Sequence, residues 1–283
     1  MSASITPSKS IRRSALGVES IFVPAWERFD WLWHGFSTRR GGISRTYLSD
    51  SSQNRTQQGD LNLGFTPADD GNAVRENRER FVDALTGSRQ TPLVLVRQIH
   101  SNCSLMAPQI PFAPDAIPEA DGLMTAETGK LIGVQTADCI PVLMIDPVHR
   151  AVAAFHAGWR GTVERIVELG VVRMRSEFGS DPAQLFAAIG PGIGACCYAV
   201  GDEVRERFGA NFNYAEELFC GGGSEVMRLD LIEANRRQLL GAGLAVEAIA
   251  AVGGCTSCQP EIFFSHRASG GHAGRMIAAI GVR

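Results

Sequence analysis

An α+β fold, with mixed β-sheets packed together and flanked by helices in a single domain, is what this sequence predicts. Three observations carry that expectation. Short β-rich runs alternate with a few amphipathic helical stretches along all 283 residues. Several of the runs are continuously apolar, as strands covered on both faces are. Neither an internal repeat nor a low-complexity linker divides the chain, and with 45% hydrophobic residues it can bury a substantial core.

Taken in order, residues 1 to 16 are serine-rich and basic, with no acidic residue before Glu19. They are expected to form a disordered tail ahead of a catalytic domain spanning 17 to 283, the alternative being a transit peptide. A helix is expected from Ala73 to Leu85, after the Asp69-Asp70-Gly71 turn, and strands from Pro92 to Arg97, Leu131 to Gln135, Pro141 to Ile145 and Ala151 to Phe155. A helix over Thr162 to Phe178 follows, then a strand over Leu185 to Ile189 and helices over Asp202 to Phe208 and Leu231 to Leu240, the last behind an Asp230 cap. Strands over Val246 to Val252, Ile262 to Phe264 and Arg275 to Ile280 complete the set. The polar stretch 49 to 60 and the glycine run 221 to 223 read as exposed loops.

A net charge of -3, from 27 basic and 30 acidic residues, gives no field that would attract nucleic acid or an anionic membrane. No apolar run approaches the roughly 20 residues that span a bilayer, and no apolar secretion signal opens the chain, so a cytoplasmic protein is expected, as a monomer or small homo-oligomer. Seven cysteines, an odd number in a chain large enough not to need stapling, are expected as reduced thiols.

Chemistry is expected where apolar strands end in polar residues: at His100 after Val94-Leu95-Val96-Arg97-Gln98-Ile99, at Cys139 after Ile132-Gly133-Val134-Gln135-Thr136-Ala137-Asp138, and at His156 after Val152-Ala153-Ala154-Phe155. Two imidazoles and one thiolate suit zinc and leave a fourth position open. The competing reading is three unrelated residues at strand ends. From His156 the chain runs through Ala157-Gly158-Trp159-Arg160-Gly161-Thr162 into a helix, so free N–H groups and the Arg160 fork form a candidate anion site. Alternatively Arg160 pairs with a carboxylate and Trp159 packs. Asp138 is a candidate general base, a partner that orients the neighbouring ligand, or a turn cap.

Four stretches in one order are distinctive: Gln98-Ile99-His100-Ser101, Ala120-Asp121-Gly122-Leu123-Met124-Thr125, Thr136-Ala137-Asp138-Cys139-Ile140-Pro141, and His156 through Thr162. With Gly35-Phe36-Ser37-Thr38-Arg39, Leu61-Asn62-Leu63-Gly64, Ile189-Gly190-Pro191-Gly192-Ile193-Gly194 and Phe263-Phe264-Ser265-His266-Arg267, they extend over roughly residues 20 to 283. The chain resembles the laccase-domain purine nucleoside phosphorylases. The resemblance implies a Zn2+ ion, rather than copper, on His100, Cys139 and His156. It implies phosphorolysis of adenosine, inosine, guanosine and S-methyl-5'-thioadenosine, with adenosine deamination at the same site. Arg39 and Arg160 are then candidates to hold phosphate, and Asp138 and Arg160 candidates for catalysis. His266, where an aromatic residue is more usual, and an expanded 210 to 225 segment depart from the family pattern and bear on the rim of the site.

Cys255-Thr256-Ser257-Cys258 has the spacing of half a zinc site, but no second pair stands beside it in sequence, and packing is the expected role. Cys196-Cys197 follows a Gly-Pro-Gly-Ile-Gly loop expected to shape the pocket. His34, His149 and His272 lack matched partners and are expected to be ordinary histidines. Two other functions compete. Two histidines and a cysteine are also a blue-copper set, as a polyphenol oxidase would use, but six histidines without a His-X-His pair are few for multicopper chemistry. A metal-free hydrolase with Cys139 as nucleophile and His156 as base, acting on an amide such as a cell-wall precursor, uses the same residues.

Overall fold

The computed structural model describes residues 10–48, 58–107, 116–223 and 225–283. Two six-stranded mixed sheets make its centre. The first runs in the order β1 (Ile11–Arg13), β2 (Glu19–Ile21), β3 (Leu32–Ser37), β16 (Met276–Val282), β9 (Lys130–Thr136), β6 (Leu93–Val94). The second runs β15 (Ile249–Ala251), β12 (Phe186–Ile189), β10 (Ile140–Asp146), β11 (Ala151–Ala157), β8 (Gly122–Thr125), β7 (Ser104–Met106). Two short hairpin pairs, β4 (Arg40–Gly42) with β5 (Gly59–Asp60) and β13 (Phe219–Cys220) with β14 (Arg228–Leu229), lie outside them.

Side-chain alternation builds the layers. In β16, Met276, Ala278 and Ile280 enter a core shared with Leu143, Ile145, Val152 and Ala154 of the second sheet. The intervening Ile277 and Ala279 pack with Phe81, Val82 and Leu85 of α1 (Gly71–Thr86). In the second sheet, Val142, Met144, Ala153 and Phe155 point the other way, against α2 (Trp159–Val163), α3 (Ile166–Phe178), α4 (Asp202–Asn211) and α5 (Leu231–Gly241). Each central strand thus buries both faces, which is why its sequence is continuously apolar. Gly170 of α3 allows the closest approach, because a Cβ there would stand 2.4 Å from Phe155 Cζ.

The α+β architecture agrees with the expectation, and so do the long central strands, α1, α4 and α5. Asp70 caps α1 by accepting from Asn72 N, and Asp230 caps α5 by accepting from Glu233 N. Other expectations need correction, among them the strand over Val246 to Val252, of which Val246–Ala248 is a single 3-10 turn and only Ile249–Ala251 joins the sheet. Order begins inside the stretch assigned to the tail, since Ile11–Arg13 pairs with Glu19–Ile21, while residues 1–9 lie outside the described residues. Strand Pro92 to Arg97 contracts to Leu93–Val94, with Arg97 bridging Glu119 in isolation. Ile262 to Phe264 is a turn, closed by Ile262 N and Phe263 N donating to Gln259 O; its phenylalanines are apolar because they fill the inter-sheet core.

The helix expected over Thr162 to Phe178 is two helices, with Arg165 between them at φ 64°. Buried Gln238 donates to Thr162 O at 2.7 Å and Asn235 to Thr162 Oγ1 at 3.1 Å, holding the end of α2 with groups from α5. Of the exposed loop expected over 49 to 60, residues 49–57 lie outside the described residues and Gly59–Asp60 is instead a buried strand paired with β4, while Gly221, Gly222 and Gly223 all take positive φ at the β13–β14 turn. No helix among the described residues is long and apolar enough to cross a membrane.

Candidate metal centre

His156 lies in β11 opposite Pro141 of β10, Cys139 sits in the turn between β9 and β10, and His100 lies on the segment after β6. The structure brings the three together: one ligand atom from each lies within 4.8 Å of the others. Only His156 is on a strand. His100 is held at φ 62° and Asp138, beside Cys139, at φ 93°, two of the four described non-glycine residues with positive φ. Such conformations persist where surrounding contacts enforce them.

At His100 the enforcing group is Asp121, a residue of the Ala120 to Thr125 motif to which the sequence assigns no role. Its carboxylate is fully buried and accepts from the backbone N–H of Ile99, His100 and Ser101, at 3.2, 3.0 and 2.7 Å, and from Ser101 Oγ at 2.8 Å. It also accepts from His156 Nδ1 at 2.8 Å, while His156 N donates to Asp121 O. One carboxylate therefore turns the His100 segment into shape and fixes the His156 tautomer, leaving Nε2 for a metal. Carboxylate–histidine pairs behind zinc ligands act in this way. Burial works against ionisation of Asp121, but the His156 and Ser101 hydrogen bonds outweigh it and bring its pKa to about 2. Burial likewise opposes the Cys139 thiolate, and the charge of His156 with hydrogen bonds from both histidines prevails, lowering the thiol to about 6.

Gly158 completes the close packing: a Cβ at this position would stand 3.0 Å from Cys139 Sγ and 3.1 Å from His100 Cδ2. The donors open onto a cleft of about 540 Å³, walled by Phe65, Gln98, Gln135, His266 and Arg275 among others. Two imidazoles and a thiolate with a carboxylate behind them and a cleft in front fit an open zinc site.

The other candidates separate. Asp138 accepts from Thr256 Oγ1 and from Arg267 N, both at 2.6 Å, so its two carboxylate oxygens tie the Cys139 turn to two distant loops. Arg160 is exposed, stacks 4.3 Å from the Trp159 ring and has no carboxylate partner among the described residues. The helix that follows Gly158 has only five residues, so the N-terminal field expected there is small. Arg39 is not at this cleft. It makes a two-pronged pair with Asp60, at 2.9 and 2.6 Å, donates to Tyr47 O and Pro260 O, and stacks on Phe264. A guanidinium so occupied braces loops. Arg275, which the sequence reading passed over as a strand start, lines the cleft beside Gly64.

The expectation that Cys255 and Cys258 have no companion pair is overturned. Cys196 and Cys197, about 60 residues earlier in sequence, stand beside them, with one sulfur from each of the four within 4.8 Å of the others. Long separation in sequence hid the juxtaposition.

Residues 33–283 match the family described as multi-copper polyphenol oxidoreductase laccase. The chain belongs to this family. Within it, this laccase-family chain is 33% identical over 255 residues to the Bacillus subtilis protein named purine nucleoside phosphorylase YlmD, covering 88% of each. It is 34% identical to a protein named adenosine deaminase RL5, from an unknown prokaryotic organism, over 87% of this chain and 92% of that one. The crystal structure of YlmD from Geobacillus stearothermophilus superposes with a TM-score of 0.82 at 32% identity, covering 97% of this laccase-family chain and 99% of that one.

Proposed function

We propose that the chain is a zinc-dependent purine nucleoside phosphorylase acting on adenosine, inosine, guanosine and S-methyl-5'-thioadenosine, with adenosine deamination as a second activity of the same site. The observation that carries this reading is the convergence of His100, Cys139 and His156 at the mouth of a cleft of about 540 Å³. That volume is in the range that holds small organic ligands. The names of the relatives support the substrate class.

When bound by these three side chains, zinc supplies Lewis acidity and lowers the pKa of a coordinated water. The chain's own groups do the rest. Asp121 holds His100 and His156 in register, and Asp138 positions Cys139 through Thr256 and Arg267. Arg160, which has no carboxylate partner among the described residues and lies outside the cleft lining, in α2 two residues after Gly158, is the proposed phosphate holder, and Arg275 is a cation on the cleft wall itself. His266 is the cleft histidine outside the donor set and the proposed proton carrier to the departing base. Copper oxidase chemistry is disfavoured by the donors themselves: among the described residues, no other candidate metal cluster contains a histidine.

The test is inosine with inorganic phosphate, assayed for hypoxanthine and ribose 1-phosphate. Wild type is expected to release both in a phosphate-dependent manner. Cys139→Ser and chelated protein are expected to release neither, with zinc restoring the chelated sample. Turnover that survives chelation would overturn the zinc reading.

A further inference from the structure

Two cysteine pairs that the reaction does not use meet on one end of the second sheet. Strands β12 and β15 are parallel neighbours, paired Ala187 with Ile249 through Ile189 with Ala251. The chain leaves both in the same direction. The loop after β12 brings Cys196 and Cys197; the loop after β15 brings Cys255 and Cys258. Cys258 Sγ lies 3.4 Å from Cys196 Sγ and 3.3 Å from Cys197 Sγ, and all four sulfurs fall within 4.8 Å of one another.

We propose that Cys196, Cys197, Cys255 and Cys258 form a second metal site, structural in role, that holds one zinc ion in a shell of four thiolates. Tetrahedral zinc with bonds of about 2.3 Å spaces its sulfurs about 3.8 Å apart, within the observed span. An iron–sulfur cluster sets several irons and sulfides between its cysteines and needs a wider ring. The backbone is arranged for charged sulfur. Gly194 N donates to Cys255 Sγ at 3.2 Å, and a Cβ on Gly194 would stand 3.3 Å from Cys196 Sγ. Two of the four residues are exposed and two half-buried, so an ion can enter.

The site would brace the first centre from behind. Between the two loops, Gly192 bridges Cys255, and Thr256 N donates to Gly192 O at 3.0 Å. Both loops then grip Asp138: Thr256 Oγ1 donates to its carboxylate, and Ile193 N to its carbonyl at 2.7 Å. Asp138 adjoins Cys139. An ion joining the loops shortens the play in that grip, and binding it releases the thiol protons.

Metal per chain, measured on reduced, full-length protein, tests this. Wild type is expected to carry two zinc ions, Cys139→Ser one, and the double variant Cys255→Ser/Cys258→Ser one, with a lower thermal midpoint. Cobalt loaded into Cys139→Ser is expected to give the thiolate charge-transfer and intense visible bands of a tetrahedral four-sulfur site. That arm needs no change at the four cysteines, so it decides the matter even where the double variant fails to fold. The proposal is overturned if reduced Cys139→Ser takes up neither zinc nor cobalt.

Discussion

The two sulfur-bearing centres differ in what stands behind and in front of their donors. Behind His100, Cys139 and His156 is the fully buried carboxylate of Asp121, and in front is a cleft. Behind Cys255 is the Gly194 N–H, and none of the four clustered cysteines lines that cleft. Three ligands with an open face suit chemistry; four thiolates that close the shell suit architecture. The contrast teaches that a carboxylate able to orient an imidazole, more than the presence of sulfur, distinguishes the first centre from the second.

Asp121 is where that contrast breaks most violently. Asp121→Ala removes the acceptor shared by three backbone N–H groups, a serine hydroxyl and His156. A cost of about 3 to 5 kcal/mol in urea unfolding is expected, as for other buried networks that lose one charged partner. Asp121→Asn keeps the shape, and its expected effect is a loss of about 10- to 100-fold in zinc affinity at the first centre, with the four-cysteine centre unchanged. Equal zinc affinity in Asp121→Asn and wild type would remove the distinction drawn between the centres.

Acid sharpens the comparison once a background is subtracted. His34, which belongs to neither donor cluster and does not line the cleft, is buried edge-on against Phe22 and Trp26, and its Nε2 accepts from Val23 N at 3.0 Å. Burial, then the charge of Arg12, lowers its pKa to about 4. The unfolded chain takes up this proton near pH 6.5 and the folded chain near 4, so the contribution of neutral His34 is complete above pH 6.5 and lost on descending toward 4. Its size is about 3 kcal/mol. In chelated protein, unfolding midpoints from pH 7.5 to 4.5 are expected to fall steeply in wild type and less in His34→Phe. An identical slope in the two proteins would assign the acid sensitivity to other groups.

How much of this was legible follows from the range of the interactions. The strands over Leu131 to Gln135, Pro141 to Ile145 and Ala151 to Phe155 were readable because both faces are buried and the apolar run is local information. That His100, Cys139 and His156 belong together was readable by motif, and the structure brings their donor atoms within 4.8 Å of one another, yet the reason for that geometry was not readable. His100 is presented by a loop shaped by Asp121, 21 residues away, where strand-end rigidity was expected. The break at Arg165 rests on Gln238 and Asn235 of α5, and the four-cysteine cluster on parallel pairing of β12 with β15. No window along the chain contains either fact. Arg39 shows the converse: a motif arginine whose partner, Asp60, is 21 residues on, and whose structural use outranks the phosphate expected there.

A smaller effect is expected at Arg160. Its guanidinium stacks on Trp159 with no carboxylate partner among the described residues, so Arg160→Ala should leave the stability within about 0.5 kcal/mol of wild type. The KM for phosphate is expected to rise about tenfold, equivalent to about 1.4 kcal/mol, with zinc content unchanged. A phosphate dependence identical to wild type would remove Arg160 from the site.

The finest test uses one glycine from each centre. A Cβ on Gly158 would meet Cys139 Sγ and His100 Cδ2 at 3.0 and 3.1 Å; a Cβ on Gly194 would meet Cys196 Sγ and Cys255 Cβ at 3.3 and 3.4 Å. Neither glycine has positive φ, so alanine strains the neighbours rather than its own backbone. Each substitution is expected to cost about 1 kcal/mol, the low end for overpacking, but in different measurements. Gly158→Ala moves reacting groups, so turnover of inosine should fall several-fold with the thermal midpoint nearly unchanged. Gly194→Ala crowds sulfurs that only brace, so the midpoint should drop while turnover per zinc-loaded chain holds. If Gly194→Ala lowers turnover more than Gly158→Ala does, the four-cysteine centre participates in the reaction and the division into a working site and a supporting one fails.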